Sequence, residues 1–160
     1  MIFVTVGTQL TFDRMVSAVD TWAATSGDDV FAQVGPTDIH FNHIRQSAFL
    51  EPKDFDHYFN AASLVIAHAG MGSILTAMSY GKRIIIMPRK AGLGEHRNDH
   101  QLATARSLVA HAGVSVAWDE DELIALLHQT DNTAMEQDLA QIPNTAPELF
   151  IQKLRELINS

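Results

Sequence analysis

The chain has 160 residues, 46% of them hydrophobic, with 9 glycines, no cysteine and a formal net charge of -8 at pH 7. That is material for one globular domain with an ordinary core. The lack of cysteine rules out disulfide and thiolate chemistry, and the acidic balance argues against general nucleic-acid binding. No apolar run reaches the roughly 18 residues that cross a bilayer. Met1 to Val6 lacks the basic start and cleavage site of a signal peptide, so a cytoplasmic protein is expected.

In chain order, a strand is expected at residues 2 to 6, then Gly7-Thr8, then a helix from about Thr11 to Thr25. Phe12, Met15, Val16, Val19 and Trp22 recur in it at three- and four-residue spacing, and Gly27 ends it. Val30 to Val34 reads as a second strand stopped by Gly35-Pro36, residues 36 to 44 are ambiguous, and Ala48-Phe49-Leu50 suggests a third short strand. A helix from Asp54 to about Ala62 follows.

The most informative stretch comes next. Leu64 to Ala67 reads as a buried strand, His68-Ala69-Gly70-Met71-Gly72-Ser73 as a tight loop, Ile74 to Tyr80 as a helix, and Arg83 to Met87 as another buried strand. Strand, glycine loop, helix and strand make a βαβ unit. Such a loop feeds a helix N-terminus, where unpaired N–H groups and the helix dipole favour an anion. Gly70 and Gly72 would let a phosphate approach the backbone, and Ser73 could cap the helix or donate its hydroxyl.

Beyond Pro88, Arg89 to Arg97 forms a polar loop longer than a connector requires, of the kind that carries function at a strand's carboxyl end. Asn98 or Asp99 is placed to cap a helix running to about Ala112, with Leu102, Ala105, Leu108 and Val109 on one face. A last strand is expected at 114 to 117, a helix from Asp119 to Leu127, a polar stretch from Gln129 to Pro143, and a final apolar-faced helix over about 146–158. The alternation predicts one α/β domain over residues 1 to 160, a doubly wound, mainly parallel sheet of about six strands. Ligands of such sheets lie beyond the strands' carboxyl ends. That edge would gather Gly7-Thr8, Gly35, the 68–73 loop and the 88–101 loop. Lys82, Arg83, Arg89, Lys90 and Arg97 read as a basic cluster nearby, either a solvated face or a patch for phosphate or an anionic membrane surface.

His68-Ala69-Gly70-Met71-Gly72-Ser73-Ile74-Leu75, Gly81-Lys82, Met87-Pro88-Arg89 and Glu95 to Gln101 together resemble the C-terminal, donor-binding half of family 28 glycosyltransferases. Val6-Gly7-Thr8 with Phe12-Asp13 extends the resemblance over residues 1 to 127. It is nearest to members split over two chains: the soluble subunit of the dolichol-linked N-acetylglucosaminyltransferase and the soluble partners of bacterial exopolysaccharide glycosyltransferases. The resemblance implies one Rossmann-like half of a GT-B fold and a catalytic subunit that moves a hexose from a UDP-sugar. It also implies a membrane-anchored, acceptor-binding partner subunit, a lipid-linked acceptor and peripheral recruitment to the membrane.

On that resemblance the diphosphate lies between Gly7-Thr8 and Gly70-Met71-Gly72-Ser73. Asn98, Asp99, His100 and Gln101 stand where the family reads sugar hydroxyls, and Arg89 or Arg97 would meet the leaving phosphate. Thr76 takes the place of a ribose-binding glutamate, and the region near Pro52 would flank the uracil. The general base is expected on the partner, and no metal or other cofactor is implied. His68 is either a structural hydrogen-bonding residue or a phosphate neighbour.

Competing readings fare less well. The first strand offers Gly7 alone rather than Gly-x-Gly-x-x-Gly, and no acidic residue ends the strand after the glycine loop, which argues against a dinucleotide site; no P-loop follows any strand. His96 and His100 are four apart, but they straddle a helix start without an obvious third metal ligand, and His40 and His43 read as surface residues. A non-catalytic nucleotide-sugar sensor or scaffold is the alternative from another functional class.

Overall fold

The structure is a computed structural model that describes residues 1 to 130. The expected final helix over 146–158 lies outside the described residues. Six strands form the sheet: β1 (Ile2–Thr5), β2 (Val30–Gln33), β3 (Arg45–Ser47), β4 (Leu64–His68), β5 (Ile84–Met87) and β6 (Val114–Val116). Five helices connect or flank them: α1 (Asp13–Ser26), α2 (Pro52–Ala61), α3 (Met71–Ser79), α4 (His100–Leu108) and α5 (Glu120–Thr130), with a short 3-10 turn at Ala91–Leu93. Every pairing is parallel and the strand order is β3-β2-β1-β4-β5-β6. This is the doubly wound α/β sheet that the alternating elements predict.

Alternation within the strands divides the core between the two faces of the sheet. Val4, Ile66, Ile85 and Met87 pack with Met15, Val19 and Trp22 of α1 and Leu123 and Leu127 of α5. Phe3, Val65, Ala67, Ile84 and Ile86 pack with Phe59 of α2, Ile74 and Met78 of α3 and Leu108 of α4. Because both faces are covered, the central strands are nearly continuous apolar runs rather than alternating ones, with Thr5, Gln33 and His68 as polar residues at their carboxyl ends, and this makes them legible.

Several bounds differ from expectation by two or three residues, as where α2 starts at Pro52 and α5 runs on to Thr130; three differences change the reading of a segment. The third strand lies at Arg45–Ser47, not 48–50, and is polar because it is an edge strand pairing only with β2 through its backbone. Its Arg45 is held by an exposed ion pair with Asp29 at 2.8 Å and lies over the Phe31 ring, whereas Phe49 is exposed in the loop beyond. Helix α3 begins at Met71, three residues before the expected start, so the second half of the supposed glycine loop is its first turn. Helix α4 ends at Leu108, and Val109, expected on its buried face, is exposed at the C-cap.

The position of the site follows from the strand order. Successive strands are added outward on one side from β1 to β3, and on the other from β4 to β6. The connections leaving β1 and β4, which are neighbours, therefore diverge and open a crevice between them. Gly7 stands just beyond β1 and Gly70 just beyond β4.

Candidate functional site

A cavity of about 490 Å³ occupies that crevice. Its floor is built around His68, the last residue of β4, and Arg89, two residues past the end of β5. The register that pairs His68 with Met87 brings the two together. Arg89 is only 3% exposed. Its Nη1 donates to His68 Nδ1 at 3.0 Å, and its Nη2 donates to the carbonyls of Val6 at 2.7 Å and Leu10 at 2.9 Å. The guanidinium also lies over the Phe12 ring, 5.2 Å from its centre. Burial lowers the Arg89 pKa, and the charge of Glu95 opposes that; an arginine nonetheless stays protonated. One buried cation thus ties the start of the β1–α1 connection to the end of β4.

Glycine is required on both sides of the His68 ring. A Cβ at Gly70 would overlap ring atom Cε1, and one at Gly7 would lie 2.9 Å from Nε2, where the backbone also has φ +81. Gly70 therefore serves the imidazole rather than the approach of a ligand. Gly72 is different, since a Cβ there meets nothing within 4 Å. Burial first, then the positive charges of Arg89 and His96, lower the His68 pKa to about 3. The ring is neutral at physiological pH.

The mouth is made by the first turn of α3. Its N-cap is Gly70, which has no side chain to satisfy the turn, and the first bond of the turn runs from the Ile74 N–H to the Gly70 carbonyl at 3.3 Å. The N–H groups of Met71, Gly72 and Ser73 precede that bond, and all three residues line the cavity. Among the described residues no carboxylate lines it, although Asp54/Asp56 and Asp119/Asp121 both have Asp-x-Asp spacing. A helix N-terminus, neutral polar walls and a buried guanidinium beneath favour an anion.

The structure gathers most of the expected residues. Gly7, Thr8, His68, Gly70, Met71, Gly72, Ser73, Thr76, Arg89 and Gln101 all line the cavity, but several do so in unexpected roles. Ser73 is the third residue of α3 and not its cap. Thr76 donates its hydroxyl to the Gly72 carbonyl at 2.7 Å, leaving only acceptor capacity for a ligand. The Arg89 Nη groups are engaged by backbone carbonyls and His68, so this cation holds the floor rather than gripping a phosphate.

Gln101, 7% exposed, accepts the Arg89 N–H at 3.1 Å through Oε1, and its amide nitrogen lies 3.2 Å from His68 Nδ1. Its amide is already used within the protein at both ends. Asn98 accepts the His100 N–H at 3.0 Å and Asp99 accepts the Ala91 N–H at 2.9 Å, so both shape the loop, and neither lines the cavity. Exposed Arg97 does not line it either, while His100 borders an adjoining cavity of about 270 Å³ together with His96 and Gln101. Among the described residues, no three His, Cys, Asp or Glu side chains are grouped to hold a metal ion. The basic cluster is split by β5: Lys82 and Arg83 precede the strand, roughly 13 Å from its other end at about 3.3 Å per residue. Lys82 is bound to the carbonyls of Asn60 and Ala62.

Sequence reasoning missed Gln9, Leu10, Gln33 and Phe55 on the walls. Phe55 stands one turn beyond Pro52 and packs edge-on against Phe3 at 5.5 Å. Gln33 is 1% exposed, donates to the Gly7 carbonyl at 3.4 Å, and its Oε1 has no partner among the described residues. A lone amide in the apolar run Val30 to Val34 is the signal that could have found it. Also missed was the bidentate ion pair of Arg14 with Glu95, 2.8 Å at its shorter contact, which pins the 88–97 loop to α1. Burial works against the Arg14 charge, but hydrogen bonding and charge from Glu95 and Glu120 outweigh it and raise its pKa.

Solved structures share this fold. The NMR solution structure of ALG13 is 21% identical with a TM-score of 0.66, over 99% of this chain and 96% of that one. The glycotransferase of kitacinnamycin is 19% identical with a TM-score of 0.63, over 88% of this chain but 37% of that one. Os79 from O. sativa, solved in complex with UDP, is 16% identical with a TM-score of 0.63, over 86% of this chain and 33% of that one. The chain therefore spans about a third of the length of the latter two proteins. No curated protein matches the sequence. The domain is one Rossmann-like half of a GT-B fold. The profile of the glycosyltransferase family 28 C-terminal domain matches residues 1 to 159, and the chain belongs to that family.

Proposed function

We propose that the cavity binds a UDP-sugar, and that the chain is the donor-binding catalytic subunit of a heteromeric, inverting glycosyltransferase moving a hexose to a lipid-linked acceptor in exopolysaccharide or glycolipid synthesis. The observation that carries the reading is the uncapped first turn of α3 facing a carboxylate-free cavity at the switch point of the sheet. The diphosphate would lie on the N–H groups of Met71, Gly72 and Ser73, where Gly72 leaves open space. Thr8 and His68 would bound it on the β1 side. The sugar would extend toward His96 and His100, and the base toward Phe55.

In an inverting transfer the acceptor oxygen bonds to the anomeric carbon as the bond from that carbon to the diphosphate oxygen breaks. The acceptor proton passes to a general base, and negative charge collects on the leaving diphosphate. Fixed N–H dipoles aimed at that charge are the contribution these residues can make, because they need no reorganisation as the charge grows. A base is not supplied by the walls described. His68 takes a proton only near pH 3, and its Nδ1 is already engaged. This supports a partner subunit that brings the base and the acceptor. Among the described residues no helix is long and apolar enough to cross a membrane, so the proposed recruitment would rest on that partner, with residues 146 to 158 as its docking segment.

The missing base and the internally bonded Thr76 hydroxyl also favour a second reading, a nucleotide-sugar sensor or scaffold without catalytic work. Reconstitution separates the two. Sugar transfer that requires both this chain and a membrane-anchored partner, and that fails when Gly72→Val replaces this chain, supports catalysis. Undiminished transfer with the Gly72→Val chain supports the scaffold.

A further inference from the structure

His68 has two ring nitrogens in very different settings, and the difference comes from two residues of the cavity floor, Arg89 and Gln101. Arg89 Nη1 lies 3.0 Å from Nδ1, and a guanidinium can only donate. Gln101 Nε2 lies 3.2 Å from the same atom. The orientation of the Gln101 amide is fixed independently, because the Arg89 backbone N–H points at its other end at 3.1 Å and requires the carbonyl oxygen there. The NH2 group is left to face the imidazole. Two donors converge on Nδ1, which therefore carries no proton.

We propose that Arg89 and Gln101 are positioning residues that lock His68 in one neutral tautomer, with Nδ1 accepting and Nε2 protonated, so that the cavity floor presents a fixed N–H donor to its ligand. The place of Nε2 is equally constrained. It sits 2.9 Å from where a Cβ of Gly7 would be and 2.7 Å from that of Gly70, in a slot that exists only because both are glycine. The charges acting on the ring come from Arg89 at Nδ1 and from His96 on the same cavity wall, both opposing a second proton. The donor is consequently constant over the physiological range, and a bound anion meets an N–H dipole rather than a titrating cation. That the ligand is a nucleotide diphosphate rests on the function proposed above, whereas the tautomer lock belongs to the unliganded protein.

The two are tested separately. Protein labelled with 15N-histidine, with His68 assigned by the signal lost in His68→Gln, reports the tautomer by NMR without any ligand or further substitution. The lock requires a protonated Nε2 and an unprotonated Nδ1, unchanged from pH 5 to 8. A proton on Nδ1, or titration of His68 within that range, overturns it. Gln101→Glu replaces the donor by an acceptor, so the pH at which His68 takes up a proton should rise toward that range, and UDP-N-acetylglucosamine binding should acquire the same pH dependence. An unchanged His68 titration in folded Gln101→Glu protein overturns the role of Gln101. Calorimetry of the wild-type protein with UDP-N-acetylglucosamine judges the proposed function alone: no binding, beside a locked tautomer, would overturn that reading and leave the lock standing.

Discussion

Gly70 and Gly72 stand two residues apart at the start of α3, yet a methyl group added at the first would overlap the His68 ring, while one added at the second would meet nothing within 4 Å. They mark the boundary between two parts of the cavity. On the floor, Arg89, Gln101, His68, Gly7 and Gly70 fit one another, and their polar contacts are largely within the protein. At the mouth, Met71, Gly72 and Ser73 present backbone donors to a space that no side chain fills. His68 Nε2 apart, the polar groups most constrained by the fold are turned to one another, and the least constrained ones are those that would touch a ligand.

Removing the floor's cation should have the largest effect. Arg89→Met deprives the carbonyls of Val6 and Leu10 of a donor and leaves His68 Nδ1 with Gln101 alone, and should cost about 2–5 kcal/mol of stability in urea unfolding. A loss under about 1 kcal/mol would mean that the guanidinium is not what joins the β1–α1 connection to β4. The glycines give the next test. Gly70→Ala should destabilise by about 1–3 kcal/mol through overpacking against His68. Gly72→Ala should stay within about 1 kcal/mol of the wild type, leaning toward stabilisation because alanine is the better helix former. Equal effects at the two positions would erase the distinction between floor and mouth.

An effect comparable to that of Gly70→Ala, but spread over several pH units, is expected from acidification. His68 has a folded pKa near 3, below its ordinary 6.5, so its contribution is fully present above pH 6.5 and is lost as pH falls toward 3. Between about pH 6.5 and 4.5 stability should fall by up to about 1.4 kcal/mol per unit from this residue. His68→Gln should flatten the curve in that window. If the wild-type and His68→Gln curves run parallel there, the ring is not held neutral.

How far the sequence reveals this arrangement depends on which forces shaped each part. Strands β1, β2, β4 and β5 are legible because both of their faces are buried, which favours nearly continuous apolar runs. Strand β3 is not, since Arg45-Gln46-Ser47 sits on the sheet edge through backbone bonds that leave no hydrophobic trace. The glycines after β4 point to the right place but suggest the wrong local structure. Gly70 caps the helix and makes room for His68, while Gly72 and Ser73 are already inside the first turn. The Arg89–His68 contact joins residues 21 apart in sequence through the register of β4 on β5, and local pattern carries no sign of it. The same strand separates Lys82 and Arg83 from Arg89, undoing a cluster that looks continuous when written out.

At the mouth, the N-terminus of α3 would hold a diphosphate over Gly72. Titration calorimetry with uridine and with UDP, on the wild type and on Gly72→Val, tests it most directly. UDP should bind far more tightly than uridine to the wild type, and Gly72→Val should unfold within about 1 kcal/mol of it while losing UDP, because the added side chain enters only the space the phosphates need. Equal affinity for uridine and UDP, or undiminished UDP binding by Gly72→Val, would contradict the assignment of this helix end as the phosphate site.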